Sequence, residues 1–146
     1  MAADTLDDRL VGWQDVMPTL LGLAGVPTPT SVEGHSMITG ERRQRFYGEV
    51  GEGRRATRMI HDGRHKLIPV GNRVQLFDLE QDPDEIIDLS GAASHAEVRQ
   101  HLEGDLIEEF YGSDLEWLRD GALIGLPDEE DLPTPNRGLS GQRGLH

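Results

Sequence analysis

The chain has 146 residues, of which 36% are hydrophobic and 5% aromatic, so its length suits one domain with a lean core. Its net charge of −13 argues against nucleic acid or an anionic membrane as a partner. The absence of cysteine excludes disulfides, thiolate zinc sites and a cysteine nucleophile within these residues. No apolar run is long enough to span a bilayer, and the first 20 residues show no signal-peptide pattern.

The first predicted element is a helix over residues 13–24. Val16, Leu20 and Leu23 recur at helical spacing and mark one apolar face. Asp15 is placed to cap this helix, and Gly25 is placed to end it. The proline- and threonine-rich residues that follow predict an extended coil.

Residues 45–79 are predicted to form an antiparallel meander. The dipeptide Asp62-Gly63 suits a type I′ turn, and Gly71-Asn72 suits a second two-residue turn. These turns separate three strands, and residues 45–50 can add a fourth because they contain adjacent aromatic residues with β propensity.

A second helix is predicted over residues 94–111. Ser94 and Glu97 have the spacing of a capping box, and an apolar stripe follows through Leu102, Leu106 and Phe110. The expected fold class is therefore α+β, a small antiparallel sheet of three to four strands with this helix packed on it. Residues 1–126 are expected to form the domain. The acidic, proline- and glycine-rich residues 127–146 are expected to be disordered when alone.

Charge is distributed unevenly along the chain. Residues 41–75 are net basic, whereas the regions before and after them are net acidic. This pattern predicts that a basic sheet lies near an acidic helix.

The motifs of catalysis and metal binding are weak. His61 and His65 are four residues apart, but they flank a predicted turn and lack the intervening glutamate of a helical zinc motif, so they are interpreted as exposed strand histidines. The other histidines show no ligand spacing, and the Gly-x-Ser-x-Gly nucleophile motif does not occur. The residues alone predict no catalytic position and no metal position.

The order of several segments resembles the C-terminal region of sulfatases, of the arylsulfatase type in the alkaline-phosphatase-like superfamily. The similarity runs over about residues 10–111. The segments that carry it are Asp15-Val16-Met17-Pro18-Thr19-Leu20-Leu21, Val32-Glu33-Gly34-His35-Ser36, Tyr47-Gly48-Glu49, Lys66-Leu67-Ile68 and Leu76-Phe77-Asp78-Leu79-Glu80-Gln81-Asp82-Pro83.

This resemblance implies an enzyme whose chemistry lies outside these residues. Sulfatases convert the first residue of a Cys/Ser-x-Pro-x-Arg motif to formylglycine, and no serine here begins that motif. The family's calcium ligands lie upstream of the first helix. Calcium and formylglycine are therefore expected only in an N-terminal catalytic part, and neither catalytic nor metal positions carry over to this chain.

The resemblance further implies that this region completes the fold and borders the substrate pocket, with Glu49 and Arg58 as candidate rim residues. The expected partner is the N-terminal catalytic half, or a second copy of the chain, and a sulfate ester is expected only in the complete enzyme. Two alternatives are a stand-alone acidic interaction module and a fragment of a phosphate or phosphonate ester hydrolase. A cytoplasmic location is expected for the chain as given, and a periplasmic or secreted one for a full-length parent with an export signal.

Overall fold

The centre of the fold is one antiparallel sheet. The computed structural model describes residues 7–51 and 56–124. Within them, the four strands pair in sequence order, each antiparallel to the next. They are β1 (Phe46–Val50), β2 (Thr57–His61), β3 (His65–Val70) and β4 (Arg73–Asp78). The predicted α+β class is confirmed, and so is the fourth strand.

The turn between β2 and β3 differs from the predicted type I′ turn. Gly63 has a φ of 104°, but Asp62 does not have a positive φ, so only one residue adopts the left-handed conformation. Asp62 instead accepts hydrogen bonds through Oδ1 from the backbone N–H groups of Arg64 and His65. The hydrogen bonds to the Asp62 side chain thus stabilise this turn, although only one of its two central residues has a positive φ.

Helix α2 (Ala96–Glu108) covers the sheet. Leu102 and Leu106 are fully buried and pack into one cluster with Ile60 of β2, Leu67 of β3 and Leu76 of β4. This is the apolar stripe predicted from the sequence, and it forms the core of the domain. Burial of each such side chain stabilises the fold by about 1.5–3 kcal/mol.

The predicted capping box at the start of α2 is wrong. A 3-10 helix (Ala93–His95) precedes α2, and the capping position is occupied by His95 with no side-chain cap. Ser94 lies within the 3-10 turn, where its hydroxyl contacts the neighbouring His95 Nδ1 at 3.0 Å. Backbone hydrogen bonds of the 3-10 turn pair some of the N–H groups at the start of the helix, which a capping box would otherwise pair.

The first helix lies within the predicted range 13–24, as a 3-10 turn (Trp13–Asp15) that leads into α1 (Val16–Leu23). Asp15 is the N-cap residue of α1, as predicted, but its side chain makes no capping hydrogen bond to this helix. The buried residues of α1 are Pro18 and Thr19, not the apolar face.

A 3-10 helix (Gly112–Trp117) and a short hairpin follow α2. The hairpin pairs β5 (Leu118–Arg119) with β6 (Ala122–Leu123), and Trp117 joins the core. The predicted domain boundary at residue 126 and the predicted disordered tail, residues 127–146, lie outside the described residues. No helix in the described ranges combines the length and the apolar character that crossing a membrane requires.

The basic and acidic regions meet at the edge of the sheet. Arg45 Nη1 lies 2.8 Å from Asp105 Oδ1, and its other nitrogens lie 2.9 Å from Glu108 Oε2 and 3.2 Å from Glu109 Oε1. The predicted pairing of a basic sheet with an acidic helix is confirmed at this position.

Candidate functional site

The two sequence-predicted rim residues face each other across the first hairpin. Glu49 of β1 is the register partner of Arg58 of β2, and Arg58 Nη2 lies 3.7 Å from Glu49 Oε1. The Arg58 side chain is only 2% exposed. It forms an ion pair with Asp114 and lies over the Trp117 ring at 5.3 Å. Glu49, at 30% exposed, is therefore the accessible member of the pair.

Tyr47 completes this group on β1. Its hydroxyl donates a hydrogen bond to Glu49 Oε2 at 3.0 Å. Burial, followed by the hydrogen bond to Glu49 and its charge, raises the pKa of Tyr47 well above its usual range. Tyr47 is therefore a neutral donor at physiological pH, and it fixes the orientation of the Glu49 carboxylate.

A shallow groove of about 640 Å³ connects this pair to the first helix. Its lining includes Val11, Trp13 and Val16 from the N-terminal segment and Tyr47 and Glu49 from β1. The groove is mostly apolar, with Glu49 as its charged member.

The exposed side of the first helix is apolar. Trp13 is 91% exposed, and Leu20 and Leu23 are 60% and 63% exposed. Met17 and Val26 are also exposed. A cluster of large apolar side chains in water is a surface that a partner normally covers. We call these residues, Trp13, Met17, Leu20, Leu23 and Val26, the α1 face.

A buried ion pair joins this helix segment to the coil that precedes β1. Asp15 is 1% exposed, and Arg43 donates to both of its oxygens, at 2.6 and 2.8 Å. The same carboxylate accepts backbone hydrogen bonds from Gly12 and His35 at 2.8 Å. The side-chain hydrogen bonds from Arg43, followed by the two backbone hydrogen bonds, hold the pKa of Asp15 well below its usual range against the opposing effect of burial. We call this arrangement the Asp15 clasp.

Two further residues tighten the clasp. Thr19 Oγ1 donates to the Asp15 carbonyl oxygen and accepts a hydrogen bond from the Met37 N–H. Gly34 passes so close to Gln14 that a Cβ at position 34 would overlap the Gln14 carbonyl oxygen. Only glycine fits there without a backbone shift.

A third charged group lies where β3, β4 and the start of α2 converge. His65, Asp78 and His95 each offer one ligand atom, and these atoms lie within 4.8 Å of one another. The His65 side chain is 12% exposed, so the interpretation of His65 as an exposed strand histidine is wrong. Sequence reasoning missed this group because its members are 13 and 17 residues apart in order along the chain.

The family follows from comparison of this chain with known proteins. A family described as N-sulphoglucosamine sulphohydrolase, C-terminal, matches residues 1–111. The chain belongs to this sulfatase family. The sulfatase C-terminal region is also 34% identical over 130 residues to an arylsulfatase of Clostridium perfringens (strain 13 / Type A), a match that covers 82% of the chain. The chain spans about a quarter of that relative's length, at 27%.

Solved structures share the fold of the sulfatase C-terminal region. BT4656, solved in complex with its substrate D-glucosamine-2-N,6-O-disulfate, has a TM-score of 0.57 and 25% identity; the match covers 64% of this chain and 22% of that one. The phosphonate monoester hydrolase of Agrobacterium radiobacter has a TM-score of 0.59 and 18% identity, over 82% and 30% of the two chains. The second likeness shows the fold alone.

Calcium and formylglycine belong to the full sulfatase, and the residues here do not fit either of them. The sequence contains no Cys/Ser-x-Pro-x-Arg motif. Calcium takes six to eight oxygen ligands. Within the described ranges, the group of potential metal ligands has two imidazoles and one carboxylate. This donor set of the described residues does not fit the oxygen ligands that calcium takes.

Proposed function

We propose that this chain is the C-terminal part of a sulfatase-like sulfuric ester hydrolase, where it completes the fold and borders the substrate pocket. The α1 face carries the proposal. Its apolar side chains are exposed although the chain has a packed core of its own, so they are available to a larger body. The chain spans 27% of the arylsulfatase that it resembles, and the remainder of such an enzyme is a partner of the required size.

The position of Glu49 supports a role at the pocket. It lines the groove next to the α1 face, so a body docked on that face would lie against Glu49. Arg58 is held away from solvent by Asp114 and Trp117, and its contribution is to position Glu49. Glu49 is therefore the rim candidate that contacts substrate, and Arg58 is a positioning residue.

The chain alone is proposed to be inactive, because these 146 residues lack the family's nucleophile motif and calcium ligands. The test is hydrolysis of an aryl sulfate by the pure chain, by the N-terminal catalytic part, and by the two mixed or joined. We expect activity above a buffer blank only when both parts are present. Activity of the pure chain, or a joined enzyme that is no more active than the catalytic part, would contradict the proposal.

The rim role is tested in the joined enzyme with Glu49→Gln. We expect KM to change by more than about threefold while kcat stays within about twofold, since a rim residue contacts the substrate away from the reacting atoms. Glu97→Gln is the matched control, because Glu97 lies in the first turn of α2 and outside the groove. Equal KM values for the two variants would show that Glu49 does not contact the substrate.

The two alternatives predict different results in the same experiments. An acidic interaction module would bind its partner without raising sulfatase activity. A phosphonate ester hydrolase fragment would yield a joined enzyme that prefers phosphonate monoesters. The likeness to the phosphonate hydrolase is one of fold, so the family match favours the sulfate ester.

A further inference from the structure

We propose that His65, Asp78 and His95 form a binding site for a transition-metal ion, with Zn²⁺ as the fitting species. Two imidazoles and one carboxylate are the donor types that zinc prefers, and a water can take the fourth position of a tetrahedral site. The three ligand atoms come from separate elements, β3, β4 and the 3-10 turn before α2. A bound ion would therefore fasten α2 to the sheet.

The backbone brings the ligands close before any metal binds. His65 and Asp78 are register partners of the β3–β4 pair, and His65 Nε2 lies 4.0 Å from Asp78 Oδ2. The rings of His65 and His95 have centroids 6.2 Å apart, at an interplanar angle of 68°. Ligand atoms of a tetrahedral zinc ion lie about 3.3–3.5 Å apart, from bond lengths of about 2.0–2.2 Å. Side-chain rotations that move the ligand atoms by about an ångström would bring them to these distances.

His65 is held in the orientation that metal binding requires. Its Nδ1 lies 3.3 Å from Asp62 Oδ2, while Asp62 Oδ1 is fixed by the backbone N–H groups of Arg64 and His65. A carboxylate that accepts the Nδ1 proton leaves the Nε2 lone pair as the ligand, and metal-binding histidines commonly donate their other N–H to an acceptor of this kind. His95 Nδ1 contacts Ser94 Oγ, so its Nε2 is likewise the atom left for coordination.

The surrounding charges favour a cation on balance. Arg64 opposes it, since its Nη2 lies 2.7 Å from Asp78 Oδ2 and its Nε lies 3.2 Å from Asp78 Oδ1 and 3.1 Å from Asp78 Oδ2. Three carboxylates, those of Asp62, Asp78 and Glu80, surround the same position. The Arg64 side chain is 44% exposed, and its Nε already lies 3.4 Å from Glu80 Oε2, so Arg64 keeps Glu80 as an ionic partner when it turns away from Asp78. Asp78 Oδ1 accepts hydrogen bonds from the backbone N–H groups of Glu80 and Gln81, so Oδ2, which Arg64 leaves on turning, is the oxygen that would bind the metal.

The test is competition between the full-length chain and a chromophoric chelator for Zn²⁺ at neutral pH, with thermal unfolding followed by circular dichroism. We expect one zinc per chain at this site and a rise in Tm on adding zinc. His95→Ala should weaken this binding at least tenfold and abolish the rise in Tm. Asp62→Asn should weaken it by about 10–100-fold through the orientation of His65.

His101→Ala is the control for the histidine substitutions. His101 lies on α2, has a 73% exposed side chain and is outside the cluster. We expect it to bind zinc as the unaltered chain does. No zinc binding at 100 µM free metal, or equal affinity in His95→Ala and His101→Ala, would overturn the proposal. Neither result depends on sulfatase activity, so the proposed enzymatic role is tested separately.

Discussion

At the scale of single residues, the structure is governed by buried carboxylates that each face an arginine. Asp15 pairs with Arg43, Asp78 with Arg64, and Asp114 with Arg58. Removing one partner of such a pair leaves an uncompensated charge away from water, which costs more than the pair itself contributes. These positions are therefore the ones at which a conservative substitution has the largest effect.

The Asp15 clasp gives the prediction at this scale. Asp15→Asn removes the charge that Arg43 faces and weakens the acceptor of two backbone N–H groups. We expect the free energy of unfolding to fall by roughly 3 kcal/mol, because a buried charge loses its partner. Urea unfolding measures this change.

Asp8→Asn is the matched control for the clasp. Asp8 also pairs with an arginine, Arg42, but the two side chains are 86% and 61% exposed. Solvent screening makes the contribution of such a pair to stability nearly zero. This variant should therefore have the same free energy of unfolding as the unaltered chain. An equal loss of free energy of unfolding in the two variants would show that burial does not make the Asp15 pair more stabilising than the Asp8 pair.

At the scale of elements, α2 and α1 bury different fractions of their apolar residues. Leu102 and Leu106 of α2 are fully buried against the sheet, as their spacing predicted. Leu20 and Leu23 of α1 have similar spacing and are exposed. Hydrophobic periodicity thus identifies a helix and its apolar face, but it does not say whether the covering surface belongs to the same chain.

The α1 face gives the prediction at this scale. We expect the double variant Leu20→Ser, Leu23→Ser to leave the Tm of the isolated chain within a few degrees, since both side chains are exposed. Its affinity for the N-terminal catalytic part should fall by at least roughly 100-fold, because the two leucines together lose about 3–6 kcal/mol of burial. Isothermal titration calorimetry measures the affinity.

Ile86→Ser is the control for the α1 face. Ile86 is 78% exposed but lies in the connection between β4 and α2 and is not part of the α1 face. We expect it to bind the catalytic part as the unaltered chain does. Undiminished binding by the double leucine variant would show that the α1 face is not the docking surface.

At the scale of the whole molecule, the ion pairs predict a loss of stability in acid. Arg64, followed by backbone hydrogen bonds, lowers the pKa of Asp78 from 3.8 to about 2, and the pKa of Asp15 is also lowered, first by Arg43. A carboxyl group whose pKa is lower in the folded state stabilises the fold above its unfolded pKa. This stabilisation is lost as the pH falls through the folded pKa.

We therefore expect the free energy of unfolding to decrease from about pH 5 toward pH 2. In Asp78→Asn this decrease should be smaller, because one of the carboxyl groups that take up protons on unfolding is absent. Urea unfolding at half-unit pH steps measures both curves. Parallel curves for the variant and the unaltered chain would show that Asp78 does not contribute to acid unfolding.

Local sequence signals determined much of this protein: the hairpins, the strands, the apolar stripe of α2 and the family. Turn propensity and hydrophobic periodicity act between residues a few positions apart, so a linear sequence carries them. The tertiary structure alone decided that Asp15 meets Arg43, 28 residues away, and that His65 and Asp78 meet His95. It also decided that the α1 face stays exposed. Such encounters depend on which elements pack together, and packing is a property of the whole fold that no local pattern encodes.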